Sequence, residues 1–344
     1  MEQLTLTRPD DWHVHLRDDA ALQHTVPETA RCFARALVMP NLALPVVTTK
    51  QALAYRQRVL AAVPLNCTFQ PLMTIYLTED TPPDEVRAAK ASEQVFAVKL
   101  YPAGATTHSL AGVRSVDRTY RVLEVMEACG LPLLVHAETM DSQVDIFDRE
   151  RVFIERHLQP LVERFSGLRI VIEHATTAEA VTFVQEAPAR VAATLTAHHL
   201  ALNRNALFDD GLRPHYFCAP ILKRERHRRA LVAAATSGNP KFFLGTDSAP
   251  HSKETKESAC ASPGIYSAPV ALGVYAEVFE AVGALERLEG FASFHGADFY
   301  GLPRNQEVLR LSRTPTSISE QLPMRDGVVV PFRAGGTVSW TVAN

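Results

Sequence analysis

The chain has 344 residues, 47% of them hydrophobic and 21% charged, with a formal net charge of −3. This is ordinary globular composition with ample material for a core; the charge balance implies no bulk attraction to nucleic acid or an anionic membrane, and no apolar run approaches a membrane span. The N-terminal "MEQLTLTRPDD" lacks the basic and apolar regions of a secretory signal, and Cys32, Cys67, Cys129, Cys218 and Cys260 are odd in number and form no CxxC, so a reduced, cytoplasmic protein is expected.

In chain order, short apolar segments bounded by turn residues predict strands at "QLTLT", "RALVMP", "CTFQPLMTIYL", "VFAVKLYP", "LPLLVHAE", "RIVIEHAT", "VAATLTAH" and "KFFLGTDSAP". Helical patterns lie between them. "SVDRTYRVLEVMEACG" carries a Ser or Asp cap and ends on Gly130, and "TTAEAVTFVQEA" has Thr and Glu spaced like a capping box. The basic run "KRERHRR" at 223–229 predicts a solvated helix start in preference to an anion site. After Leu302-Pro303 the pattern changes, and "DGVVVPFRAGGTVSWTVAN" predicts a terminal β-hairpin packed on the rest, with a structural role. Eight strands alternating with helices argue for an α/β fold of the (β/α)8 TIM-barrel type. Residues 1–344 then form one domain, with 303–344 as a small C-terminal β extension. An open doubly wound sheet is the alternative, but neither GxGxxG nor GxxxxGK[ST] is present to support its nucleotide-binding forms.

The strand ends carry the chemistry. The first predicted strand runs into "DDWHVHLRDD", where His13, His15 and Arg17 alternate and so share one side of an extended chain. Later strands end in Asn41, Lys99, His136, His174, His198-His199 and Asp247. In a barrel these ends converge on the face where active sites of the fold sit. A lone strand histidine is usually a hydrogen-bonded structural residue, but His13 and His15, about 6.6 Å apart at Cα, can meet on one metal ion. Neighbours on a strand face opposite ways, so at most one of His198 and His199 should look inward. His24, His108, His157, His215, His227 and His295 fall on helices or loops and are expected at the surface. Lys99 cannot ligate a cation as an ammonium. It either binds an anionic substrate or, as a carbon dioxide-derived carbamate, bridges two ions, which need an anion between them.

The stretches "HVHLR", "VMPNL", "VKLYPAGATTHS", "LLVHAE", "IVIEHAT" and "FLGTDSAPH" resemble the amidohydrolase superfamily and, within it, the compact monofunctional dihydroorotases, in order from Leu4 to beyond "HGADFYGLP". The resemblance implies a (β/α)8 barrel with two zinc ions: His13, His15 and Asp247 on one, His136 and His174 on the other, and a carbamylated Lys99 bridging both. Arg17, Asn41 and His251 match residues that hold a substrate carboxylate. "GATTHSLAG" resembles a mobile loop whose Thr106 and Thr107 contact substrate, with Gly104 and Gly112 as hinges. Backbone groups of Ala219 and Pro263 align with ring-contacting positions, and His15 and His136 also face the substrate. Pro263 has no N–H and can offer only its carbonyl; "CASPGIYSAP" departs there from a cysteine-richer pattern. The implied reaction is reversible closure of N-carbamoyl-L-aspartate to L-dihydroorotate and water, a step of pyrimidine synthesis, with a metal-bridging hydroxide as nucleophile, Asp247 as general base and acid, and a homodimeric cytoplasmic enzyme. Another cyclic amidohydrolase of the hydantoinase, dihydropyrimidinase or allantoinase kind is the nearest alternative; a non-catalytic relative on the same barrel would have lost metal-ligand positions that are all filled here.

Overall fold

The computed structural model describes residues 2–324 and 327–343. Strand β1 (Gln3–Thr7) is followed by β2 (Asp10–Val14), β3 (Arg35–Val38), β4 (Gln70–Leu77), β5 (Val95–Leu100), β6 (Leu133–Val135), β7 (Ile170–Ile172), β8 (Val191–Leu195) and β9 (Phe242–Leu244). Among the described residues β2 to β9 form one parallel eight-stranded sheet in chain order. The sheet closes on itself through a parallel bridge between Val14 and Ser248. Asp247 N donates to His13 O at 2.8 Å, and His15 N to Ser248 O at 3.0 Å. The result is the expected (β/α)8 barrel.

One predicted strand is misplaced. "QLTLT" is not the first barrel strand; β1 pairs antiparallel with β10 (Val308–Ser317), and the barrel opens with "DDWHV". The alternation of β1 leaves one side half exposed, which suits an edge sheet outside the barrel, whereas every residue of β2 is buried.

The barrel strands are short and buried on both faces, so inward and outward residues are both apolar. One residue per strand fills the interior: Trp12, Leu37, Leu72, Ala97, Leu134, Val171, Ala192 and Phe243. Their sequence neighbours face the helices. Helix His295–Tyr300 plugs the lower end, with Tyr300 stacked on Trp12 at 4.5 Å between ring centroids. Two residues further along the strands the interior turns polar, with Lys99, His136, Glu173 and Thr194. On β2 a register irregularity between Asp11 and Val14 shifts the phase by one. His13, not Val14, is therefore the next side chain into the barrel.

The C-terminal extension also differs from the expected hairpin. Strand β11 (Leu322–Met324) pairs with β12 (Gly327–Val329), while β13 (Thr337–Val342) pairs with β10, giving a three-stranded sheet β1-β10-β13. Val338 and Trp340 are buried, so the apolar face of β13 is satisfied by packing against helix Ala271–Ala281. Gly130 caps its helix in the left-handed conformation, φ 65°, as its position predicts. The capping box does not form: Thr177 caps helix Ala178–Glu186 by accepting from Ala180 N, and the third residue is Ala, not Glu. Lys223 and His227 of the basic run are buried, not solvated; His227 Nδ1 accepts from Ala178 N at 3.0 Å and ties two helices together.

Candidate active site

At the C-terminal ends of the barrel strands three ligand-type atoms form a tight triangle. His13 Nε2 and His15 Nε2 lie 3.3 Å apart, and Asp247 Oδ1 is 3.4 Å and 3.1 Å from them. Donors about 2.0–2.1 Å from a tetrahedral ion stand roughly 3.3–3.4 Å from each other, so this triangle fits one metal ion. His174 joins the group, its ring centroid 5.1 Å from that of His13 and 4.8 Å from that of His136. His174 Nδ1 and Lys99 Nζ are both buried without a hydrogen-bond partner among the described residues. Fully buried polar atoms are normally satisfied. Two orphaned nitrogens beside a ready-made ligand triangle fit a site built for metal.

The backbone is strained where the site needs it. His174 (φ 41°), Asp247 (φ 44°) and Arg17 (φ 61°) all occupy the left-handed region, which costs a non-glycine residue on the order of 1–3 kcal/mol. Electrostatics follow burial. It draws Lys99 down to about 8, against the fields of Glu173 and Asp247. Burial also lowers His13 far below its ordinary range, with Lys99 adding to the effect. For Asp247 burial works upward, but the hydrogen bond from His15 and the nearby imidazoles outweigh it and bring the carboxyl to about 2.

Two carboxylates that sequence patterning does not single out orient these imidazoles. Glu173 hydrogen-bonds His13 Nδ1 and accepts from Thr194 Oγ1 at 2.9 Å. Burial raises it to about 7, against the pull of Lys99. Glu138 accepts from His136 Nε2 at 2.7 Å, which leaves the lone pair of Nδ1 on that ring free to ligate a cation. The one sequence signal for them is position: Glu138 lies two residues after His136, and Glu173 directly precedes His174.

The other predicted residues collect on the same rim. His15, Arg17, Asn41, Thr106, Thr107, His136, Ala219, Asp247 and Pro263 line one small recess with Tyr101 and Gly264. Arg17 is anchored by Nε to Pro250 O and by Nη2 to His251 Nε2, each at 2.8 Å. Its Nη1 has no hydrogen bond among the described residues. Burial lowers His251, and the Arg17 charge lowers it further, so its ring accepts from Arg17. The loop carrying Thr106 and Thr107 lies across the mouth: Asn41 Nδ2 donates to Thr107 O at 3.1 Å. Asn41 Oδ1 and Thr107 Oγ1 are buried without hydrogen-bond partners among the described residues. Gly104 has φ +84°, and a Cβ on Gly112 would sit 2.3 Å from Tyr101 O. His198 and His199 do not join the rim as strand residues. Thr196 caps a short helix, Ala197–Ala201, that begins immediately after β8, and both rings are buried there.

Comparison with known proteins identifies the family. Residues 10–310 match the amidohydrolase family. The dihydroorotase of Nitrosococcus oceani is 60% identical over 340 residues, covering 99% of each chain. Among solved structures, a dihydroorotase from Campylobacter jejuni superposes with a TM-score of 0.91 at 35% identity, covering 99% of this chain and 98% of that one. The dihydroorotase from Saccharomyces cerevisiae in complex with 5-fluoroorotic acid gives 0.92 at 32% identity, covering 100% and 99%.

Proposed function

We propose a division of labour among the rim residues from one premise: the chain belongs to the amidohydrolase family and is an enzyme of the dihydroorotase type, a cyclic amide hydrolase. His13, His15 and Asp247 would hold one divalent ion and His136 and His174 a second, and Lys99, as a carbamate, would supply the anionic charge that two such ions require. The observation that carries this reading is the 3.1–3.4 Å ligand triangle beside a buried lysine amine that has no hydrogen-bond partner among the described residues. When bound, two zinc ions supply Lewis acidity at the scissile carbonyl and a water acidic enough to be a nucleophile near neutral pH.

The chain's own residues do the rest. Asp247, ionised at neutral pH, takes the nucleophile's proton and passes it to the ring nitrogen in hydrolysis; in cyclisation it reverses both transfers. Arg17 presents a planar fork to the substrate carboxylate, a match that a lysine cannot make. Asn41 and His251 flank that fork. Thr106 and Thr107 hydrogen-bond the substrate and exclude water when their loop lies over it. Ala219 and Pro263 offer backbone groups to the ring, Pro263 through its carbonyl alone. Glu173 and Glu138 fix the tautomer and tilt of His13 and His136. The five cysteines are all unpaired, which supports the cytoplasm as its compartment; a homodimer is carried over from the family. Among the described residues no helix is long and apolar enough to cross a membrane.

The experiment is a metal assay joined to turnover of L-dihydroorotate against dihydrouracil, which lacks the carboxylate. Two divalent ions at the reacting centre and a strong preference for dihydroorotate are expected. Full activity in metal-free protein, or equal turnover of both substrates, overturns the assignment.

A further inference from the structure

A second cluster of side chains of metal-ligating type, His198, His199 and Cys218, lies beside the residues assigned to the reacting centre. His198 and His199 come from helix Ala197–Ala201, and Cys218 from the segment leading to Ala219. Their ligand atoms all lie within 4.8 Å of one another, and all three side chains are buried. His199 and Cys218 are satisfied locally: His199 Nε2 is 3.0 Å and Cys218 Sγ 3.2 Å from Pro220 O, and His199 Nδ1 is 2.8 Å from Thr196 Oγ1. His198 is not. It is 0% exposed, and neither ring nitrogen has a hydrogen-bond partner among the described residues. A neutral imidazole carries one donor and one acceptor. Leaving both unmade in the interior is costly, and the ring calls for a ligand.

We propose that His198, His199 and Cys218 form a separate cation site that takes a zinc-type divalent ion through two imidazoles and one thiolate. Cys218 Sγ and His199 Nε2 stand 3.8 Å apart, the separation of two donors at about 2.3 Å and 2.0–2.1 Å from one ion at an angle near 120°. The required tautomer is accessible, because His199 can donate from Nδ1 to Thr196 Oγ1 and turn Nε2 to the ion. Binding exchanges the Cys218 thiol proton, released to solvent, for an S–metal bond. Lys256 and Lys223 oppose a dication here. Their ammoniums are held on backbone carbonyls, Lys256 on Phe217 and Gly264, Lys223 on Ile221, and their fields reach His198 and His199. The site therefore depends on the one anionic ligand the cluster can supply, the Cys218 thiolate. Because Ala219 lines the substrate recess, an ion on Cys218 would anchor that wall.

Cobalt(II) titration of the metal-depleted full-length protein tests this. The ligands assigned at the reacting centre contain no sulfur, so thiolate-to-cobalt charge-transfer absorption reports on cysteine ligation alone. A thiolate band accompanied by a third cobalt per chain is expected in the wild type, with the third equivalent and the band both lost in Cys218→Ser and in His198→Gln. Binding without any thiolate band in the wild type overturns the proposal, as does a band that survives both substitutions. Failure of the first two equivalents to bind, with the band intact, would count against the reacting-centre assignment and leave this one standing.

Discussion

Lys99 shows how one side chain's environment dictates its chemistry. Its amine is fully buried beside four imidazoles, and burial brings it to about 8. An ordinary lysine, near 10.4, would be almost wholly protonated at pH 7–8. Only the neutral amine attacks carbon dioxide, so carbamate formation in metal-depleted protein should rise with pH, with its midpoint at about 8. Labelled bicarbonate tracked by carbon-13 NMR would show it; a midpoint near 10 would contradict the burial argument. Lys99→Ala should lower metal occupancy and nearly abolish turnover, with partial rescue by short carboxylic acids; unchanged metal content would rule out a bridge. Arg17 divides the labour differently. Arg17→Lys keeps the charge but loses the fork, and we expect a loss of about 1–3 kcal/mol in transition-state binding, the scale of a charge-assisted hydrogen bond. It is measured as kcat/KM for dihydroorotate. A variant that instead loses metal would move Arg17 into the metal site.

The elements explain which parts of the site were legible in the sequence. Strand ends mark the rim, so Lys99, His136, His174 and Asp247 stand out as polar residues that close apolar runs, while His13 and His15 stand out by their alternation with Arg17. The phase of β2 does not: its irregularity between Asp11 and Val14 depends on closure against Thr246 and Asp247, more than 200 residues away. The same distance hid β1, whose partner strand β10 lies near the other end of the chain, and a hydroxyl cap on Thr196 turned the end of β8 into helix. Glu173 went unmarked because a carboxylate in an apolar strand has no periodic signature until its histidine partner is known. Glu173→Gln should weaken metal affinity about 10–100-fold, the usual scale for an outer-shell partner of a ligating histidine, read by chelator competition; unchanged affinity would make the contact structural only. The rim segments are also tied to each other. Lys256 Nζ bonds Phe217 O at 2.7 Å and Gly264 O at 2.8 Å, joining the two segments that carry Ala219 and Pro263. Lys256→Met should raise KM for dihydroorotate several-fold while kcat falls less. An unchanged KM would show that the two segments hold their places without the ammonium.

At the scale of the molecule, the barrel is a polar rim on an apolar plug. The floor is packed closely: a Cβ on Gly296 would fall 2.0 Å from Trp12 Nε1. Gly296→Ala should therefore destabilise the fold by about 1–3 kcal/mol, the usual cost of overpacking. A denaturation midpoint equal to wild type would mean the floor relaxes freely. The outer sheet has a consequence in time. Gln3 pairs with Ser312, and β13 completes the sheet on the far side of β10. During synthesis β1 leaves the ribosome some 300 residues before its partner strand. At about 5–20 residues per second that delay is roughly 15–60 s. Throughout it β1 is an unpaired strand, so a nascent chain arrested before β10 should be clipped by protease within β1, and the chain that includes β10 should not.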